Sequence, residues 1–321
     1  MAIQPIFVFS VSRSGSTLIQ RVIAAHSGVA TVSEPWILLP YLYTLRSRGV
    51  SAEYEHQLMV GAIEDFCREL PEQKEDYLAE MRDFVLRLYD KAAGGEARYF
   101  LDKSPPYCLI ADEIMRLFPQ GKFVFLWRNP LSIVASIIQT WEQWHPTMFR
   151  SDLFIGLPRL IAAYSAHSAD AHSVRFEDLV DGDEDHWRAL MDYLEIEFEP
   201  DALTRFSEVE LKGSMGDPTG AREYSTLSSE PQEKWKSTLA NPLRKEWCRR
   251  YLRFLGNERL EVMGYDGKQI IGELASQPTN INQFLPDLGR LLSDVVKEPI
   301  RVQVRRRGIR GPNVLRELLK A

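Results

Sequence analysis

Short apolar runs alternate with segments of helical periodicity along most of the chain. The runs are rich in β-branched and aromatic residues and predict strands, whereas the segments between them have apolar residues three and four positions apart. This alternation predicts an α/β fold, a parallel sheet flanked by helices and joined by right-handed crossovers. The predicted strands are Pro5–Ser10, Ala30–Ser33, Tyr99–Leu101, Lys122–Trp127 and Ser173–Phe176.

The pattern predicts one domain over residues 1–265, interrupted by an amphipathic helical insert at about 36–95. Breaks near Gly49 and Pro71 divide the insert into two or more helices. We interpret residues 266–321 as a C-terminal extension.

The extension combines a helical apolar spacing at Ile281–Val296 with a basic stretch near its end. It either packs on the domain or forms a contact with a partner or a second copy of the chain. The basic residues are Arg301, Arg305, Arg306, Arg307 and Arg310.

The first strand leads directly into a turn of small residues that opens a helix. Such a turn points backbone N–H groups and a helix N-terminus at an anion. Gly15 permits close approach of a phosphate, and Arg13 offers a planar guanidinium that matches phosphate or sulfate oxygens. Hydroxyl donors are added by Ser14, Ser16 and Thr17.

This turn differs from the loop of a standard ATPase or GTPase. Ser16 stands where that loop has Lys, and the first Gly of that motif is missing. The sequence therefore disfavours such an enzyme, and an ordinary Ser/Gly turn stays the alternative.

A second turn follows the predicted strand Lys122–Trp127. Arg128 comes at the end of the strand, Asn129 suits a helix N-cap and Pro130 suits the first helical position. Ligands of open α/β sheets bind at the carboxyl ends of the strands, where Arg128 would lie. Ser136 follows two turns into the helix.

Together the two turns resemble those of the sulfotransferases that use 3′-phosphoadenosine 5′-phosphosulfate (PAPS). Ser12–Thr17 is similar to the family's 5′-phosphosulfate loop, and Arg128 with Ser136 to its 3′-phosphate pair. The resemblance implies a P-loop NTPase-like sulfotransferase fold, PAPS as co-substrate, the desulfated nucleotide PAP as product, and no metal. It covers the first part of the chain well and weakens toward residue 265.

Sulfuryl transfer needs a base that takes the acceptor proton. We expect Glu34, which follows the second strand, to be this base. Tyrosylprotein and some bacterial members of the family have a similar Glu. The alternatives are a helix-capping role for Glu34 or a histidine base, for which His26 and His145 are the nearest candidates. Lys103 stands where other members have the catalytic His.

The resemblance also implies that Lys103 and Arg13 stabilise charge on the sulfuryl group, although Lys103 in a surface pair with Asp102 is the alternative. A Gly/Ser-rich loop at Gly213–Glu230 is expected to close over the nucleotide, with Ser214 as its binding residue. Phe176 replaces a Tyr that the family often shows, which removes one hydroxyl from the site.

Composition bounds the remaining expectations. A net charge of −6 gives no reason to expect nucleic acid as a partner. The three scattered cysteines indicate a reducing compartment, and no long apolar stretch predicts a transmembrane segment. We therefore expect a cytoplasmic enzyme, bacterial by resemblance, that acts on a small hydroxylated acceptor.

The acceptor pocket is expected beside the helical insert and the aromatic stretch Trp141–Pro146. Two rival functions stay open: a P-loop-like small-molecule kinase, and a nucleotide-binding module without catalytic activity.

Overall fold

A computed structural model describes residues 3–142, 144, 150–216 and 230–293. It confirms the parallel sheet flanked by helices. The sheet in this part of the chain has the strand order β2-β3-β1-β4-β5, and every adjacent pair is parallel. Its strands are β1 (Gln4–Phe9), β2 (Val29–Thr31), β3 (Tyr99–Asp102), β4 (Lys122–Trp127) and β5 (Ala171–Arg175).

The register brings the carboxyl ends of the central strands to one edge. Phe7 of β1 lies beside Asp102 of β3 and Phe123 of β4, so the turns that follow β1, β3 and β4 leave the sheet on the same side. The predicted strands are all present. The last one ends at Arg175, and Phe176 begins a helix instead of finishing the strand.

Helices cover both faces of the sheet, and three of them lie between β2 and β3. The helices are α1 (Ser16–Ala24), α2 (Leu38–Tyr43), α3 (His56–Arg68), α4 (Lys74–Ala93), α5 (Ala111–Leu117), α6 (Pro130–Trp141), α7 (Leu157–His167), α8 (Phe176–Val180), α9 (Asp185–Leu194), α10 (Ala202–Arg205), α11 (Glu230–Thr238), α12 (Pro242–Val262) and α13 (Gly267–Ser276). None of the helices in the described ranges is both long and apolar enough to span a membrane.

Two hydrophobic cores lie on opposite faces of the sheet. Alternate residues of β1 point to each side, so Phe7 and Phe9 join one core while Ile6 and Val8 join the other. Helices α4 to α7, α11 and α12 cover the phenylalanine side, and α1, α8 and α9 cover the other. Strands buried on both faces explain why the runs in the sequence are apolar throughout rather than alternating.

Within the described part of the chain, residues 266–293 pack against helix α12. Helix α13 contacts α12 directly, and a further helix over residues 284–293 places Asp287 against Arg244, with Nε 2.7 Å from Oδ2. Asp287 is fully buried, so the ion pair ties this segment to the domain. The five arginines of the basic stretch lie outside the described residues.

Candidate functional site

The turn after β1 has a backbone that only glycine fits at one position. Gly15 precedes α1 with φ of 90°, and a Cβ added there would lie 2.2 Å from Cδ2 of Phe176. Both the left-handed conformation and the missing space exclude a larger residue. Arg13 also has positive φ, 69°, which is uncommon for a residue with a side chain. The turn therefore has the tight geometry that a backbone anion cradle requires.

The turn after β4 has the predicted cap. Oδ1 of Asn129 accepts from the Leu131 N–H at 2.9 Å, and Pro130 is the first helical residue of α6. Arg128 comes directly before this cap and is buried. The helix start therefore fixes where the guanidinium can reach.

The two turns are in direct contact. Arg128 Nη1 donates to the carbonyl oxygen of Arg13 at 2.8 Å. Arg13 Nε in turn donates to the hydroxyl of Ser136 at 3.2 Å. The guanidinium of Arg128 also lies over the ring of Phe176, 4.6 Å from the ring centre, and the same ring packs on Gly15. Three separate sequence segments thus form one compact corner that contains two guanidinium groups, which we call the cationic corner.

Ser12, at the start of the turn, hydrogen-bonds to a carboxylate that the sequence did not predict. Its hydroxyl and its backbone N–H both bond to Asp152. Burial raises the pKa of Asp152, and the two hydrogen bonds from Ser12 oppose that rise. A partly buried carboxyl group therefore lies at the rim of the cationic corner.

At the edge formed by β2 and β3, Glu34 and Lys103 form an ion pair. Lys103 Nζ lies 2.7 Å from Glu34 Oε1, and the two side chains are 1% and 9% exposed. The indole N–H of Trp36 donates to Glu34 Oε2 at 3.0 Å. Lys103 therefore pairs with Glu34 and not, at the surface, with Asp102. A carboxylate and an ammonium this close provide a proton acceptor and a cation at one point.

A cavity of about 540 Å³ connects parts of the site. Thr17 of the first turn, Lys103, Ser33 and Ser214 all line it, which places the predicted loop residue Ser214 opposite α1. The guanidinium of Arg21 holds the segment that carries Ser214, through the carbonyl groups of residues 207 and 209. The volume of this cavity suits a small ligand. A larger cavity of about 780 Å³, between α2 and α7, contains none of the predicted site residues.

The histidine alternatives gain no support from the structure. His26 Nδ1 accepts from the Gly28 N–H at 3.0 Å, which is a turn-capping role. His145 lies outside the described residues, as do residues 217–229 of the predicted loop. Of the aromatic stretch expected to line a pocket, Trp144 is buried in the core and Trp141 is 43% exposed.

The sequence reasoning missed Trp36, Asp152 and Arg21. Trp36 is two residues after Glu34, and a positive φ of 56° turns its indole back onto the carboxylate. No local pattern signals such a conformation for a tryptophan. Arg21 had a usable signal, since it is the one charged residue among the nine of α1.

Comparison with known proteins identifies related chains. The profile of a family described as "Sulfotransferase family" matches residues 5–200. Nodulation protein NoeE of Sinorhizobium fredii is 27% identical over 201 residues, covering 54% of this chain and 46% of that protein. A protein-tyrosine sulfotransferase of Drosophila melanogaster is 30% identical over 134 residues, covering 41% of this chain and 25% of that protein. The matched part is thus less than half of either relative.

Among solved structures, the sulfotransferase domain from the curacin biosynthetic pathway is similar in fold. Its TM-score is 0.54 at 21% identity, and the match covers 82% of this chain and 98% of that domain. At this identity the likeness establishes the fold alone.

Proposed function

Because the chain belongs to the sulfotransferase family, we propose that it transfers a sulfuryl group from PAPS to a hydroxyl of a small-molecule acceptor. Membership supports sulfuryl transfer as the reaction class.

The donor would lie across the two turns that meet at Arg13 and Arg128. The segment Ser12–Thr17 would hold the 5′-phosphosulfate through backbone N–H groups, hydroxyls and the N-terminus of α1. Arg128 and Ser136 would hold the 3′-phosphate. The observation that carries the proposal is the 2.8 Å hydrogen bond from Arg128 to the Arg13 carbonyl, because it joins the two turns that would each bind one end of the same ligand.

Ser214 would contribute from the facing wall of the 540 Å³ cavity, which it shares with Thr17. This arrangement favours a nucleotide held between α1 and the loop segment. Arg21 supports this wall of the cavity. Its Nη2 atom donates to the Ser207 carbonyl at 2.6 Å and so holds the segment that carries Ser214.

Glu34 would act as the general base. It takes the proton of the acceptor hydroxyl, the acceptor oxygen forms a bond to sulfur, and the bond from sulfur to the phosphate oxygen breaks, so that PAP leaves. Lys103 and Arg13 would stabilise the negative charge on the sulfuryl and bridging oxygens. The 2.7 Å distance from Lys103 Nζ to Glu34 Oε1 supports these roles, since it puts a cation directly beside the carboxylate that would take the acceptor proton.

The acceptor would approach beside Trp36. This side chain is 37% exposed while it bonds Glu34, so it offers an aromatic surface next to the base. An aromatic surface next to a buried ion pair suits a hydroxylated molecule with an apolar part. The protein would act in the cytoplasm. Its cysteines Cys67, Cys108 and Cys248 are free thiols, which is the state that a reducing compartment maintains.

Two measurements test the proposal against its rivals. Calorimetry compares PAP with ATP, and a transfer assay follows radiolabelled sulfuryl from PAPS to 4-nitrophenol, a primary alcohol and a monosaccharide. We expect PAP to bind at least about tenfold more tightly than ATP, since ATP lacks the 3′-phosphate. ATP binding as tightly as PAP, with magnesium-dependent turnover, would favour a small-molecule kinase. PAP binding without transfer to any acceptor would favour a nucleotide-binding module.

A further inference from the structure

A fully buried carboxylate, that of Asp102, ends β3 directly before the proposed catalytic lysine. It accepts three hydrogen bonds: from Tyr89 at 2.6 Å, from Ser104 at 2.8 Å and from Tyr107 at 3.0 Å. Burial raises its pKa to about 6, and the three donors oppose that rise. The proposed reaction does not use this group, although three side chains are arranged around it.

Two of these donors also form hydrogen bonds to the chain segment that follows the proposed base. The hydroxyl of Ser104 accepts from the backbone N–H of Trp36 at 3.2 Å, and the hydroxyl of Tyr107 accepts from the backbone N–H of Leu38 at 3.2 Å. Each hydroxyl has a single proton, which it donates to Asp102. The carboxylate therefore sets the direction in which both hydroxyls can accept.

The segment needs such support because Trp36 has an unfavourable backbone conformation. Its φ of 56° lies in the left-handed region, which a bulky residue rarely adopts. In that conformation the indole N–H reaches Glu34 Oε2 at 3.0 Å, opposite the ammonium of Lys103 on Oε1. The position of the Glu34 carboxylate thus depends on the hydrogen bonds that hold the Trp36 backbone.

We propose that Asp102 is a positioning residue for sulfuryl transfer: through Ser104 and Tyr107 it fixes the segment from Trp36 to Leu38 and so aims Glu34. The inference rests on the proposed function, because it assigns Asp102 to the same reaction. Asp102 is fully buried, so it would act without touching donor or acceptor. A displacement of the base by about 1 Å is enough to lower a rate by about 100-fold.

Tyr89 provides a matched control. It lies on α4 and stacks on Phe100 with ring centres 4.3 Å apart, and its hydroxyl bonds the same oxygen of Asp102 that Tyr107 bonds. Tyr89→Phe and Tyr107→Phe therefore each remove one buried hydroxyl from one carboxylate. The difference is that Tyr107 also holds the Leu38 N–H.

The first readout is kinetic. We expect Tyr107→Phe and Ser104→Ala to lower kcat about tenfold or more while the Kd of PAP stays within about twofold, since the donor site is untouched. Tyr89→Phe should lower the melting temperature as much as Tyr107→Phe but leave kcat within about twofold. In a Glu34→Gln background, Tyr107→Phe should have no further effect on kcat. Equal losses of kcat in the two tyrosine variants would overturn the proposal.

The second readout needs no activity. Amide hydrogen exchange should accelerate at Trp36 in Ser104→Ala, at Leu38 in Tyr107→Phe and at both in Asp102→Asn, while both amides stay protected in Tyr89→Phe. Unchanged protection of both amides in Asp102→Asn would overturn the inference. Absence of sulfuryl transfer by the wild-type protein would count against the proposed function instead, and the exchange result would still decide the role of Asp102.

Discussion

Lys103 and Glu34 are 69 positions apart in the chain, yet their side chains meet at 2.7 Å in a contact almost closed to water. Strand β3 delivers the lysine and the residues after β2 deliver the glutamate, because adjacent parallel strands end at the same edge. Water is largely excluded there, so each charge has a stronger effect on the other than it would at the surface. In the proposed reaction, a change to either side chain would consequently also affect the other.

Replacing the base should separate turnover from binding. We expect Glu34→Gln to lower kcat by about 10² to 10⁴, the usual contribution of a general base, because an amide cannot take the acceptor proton. The affinity for PAP should not fall, since the variant removes a negative charge near the donor. Radiolabelled sulfuryl transfer and calorimetry measure the two effects. Glu113→Gln is the control, because Glu113 also pairs with a cation, Arg46, away from the site. Unchanged turnover in Glu34→Gln would refute the assignment.

The arginine at the end of β4 should distinguish nucleotides by their 3′-phosphate. We expect Arg128→Ala to weaken PAP binding by about 10- to 100-fold, the loss of one charge-assisted pair. Adenosine 5′-phosphosulfate lacks that phosphate and should lose less than about threefold. Calorimetry with both nucleotides gives the comparison, and Arg175→Ala, at the end of β5, serves as control because Asp178 holds its guanidinium. Equal losses for both nucleotides would mean that Arg128 acts only by holding the Arg13 carbonyl.

The glycine of the first turn should tolerate no side chain. Gly15→Ala adds a Cβ 2.2 Å from the Phe176 ring at φ of 90°, so we expect a lower melting temperature and loss of PAP binding. Gly182→Ala isolates the backbone contribution, because φ there is 96° and no atom lies within 4 Å of the added Cβ. That control should lose about 1 to 2 kcal/mol. Thermal melts of both variants showing the same loss would contradict the close packing against Phe176.

The buried carboxylate at the end of β3 should make stability depend on pH. Its pKa is about 6 when folded and 3.8 in an exposed reference, so the folded state binds the proton more tightly. The contribution of protonated Asp102 to the free energy of unfolding is complete below about pH 4. It is lost as pH rises through about 6, which lowers that free energy by up to about 3 kcal/mol. Urea unfolding at about pH 4 and pH 7.5 should therefore show a smaller fall for Asp102→Asn than for the wild type. Parallel pH profiles would contradict this expectation.

Much of the fold followed from the sequence because each strand is buried on both faces and so reads as a continuous apolar run. The run Lys122–Trp127 and the strand β4 have the same bounds. The cap at Asn129 was also predictable, since capping depends on residues two positions apart. Local rules therefore located both of the turns to which the proposed function assigns anion binding.

Other contacts of the site could not be predicted, because they join segments that are distant in the chain. Arg13 meets Ser136 across 123 positions, and Ser12 meets Asp152. Phe176 was noted only for its missing hydroxyl. Its ring in fact fills the space between Gly15 and Arg128, since helix α8 begins one residue earlier than the strand pattern indicated. Such packing depends on the whole fold and not on a local motif.

The hydrogen bond from Arg128 to the Arg13 carbonyl has a consequence for selectivity in the proposed binding mode. It makes the two anchoring points parts of one rigid frame, so their separation is fixed before any nucleotide arrives. In such a site the affinity for a nucleotide would depend on the distance between its two anionic groups more than on its total charge. Cellular triphosphates carry comparable charge in a single chain of phosphates and would therefore bind more weakly.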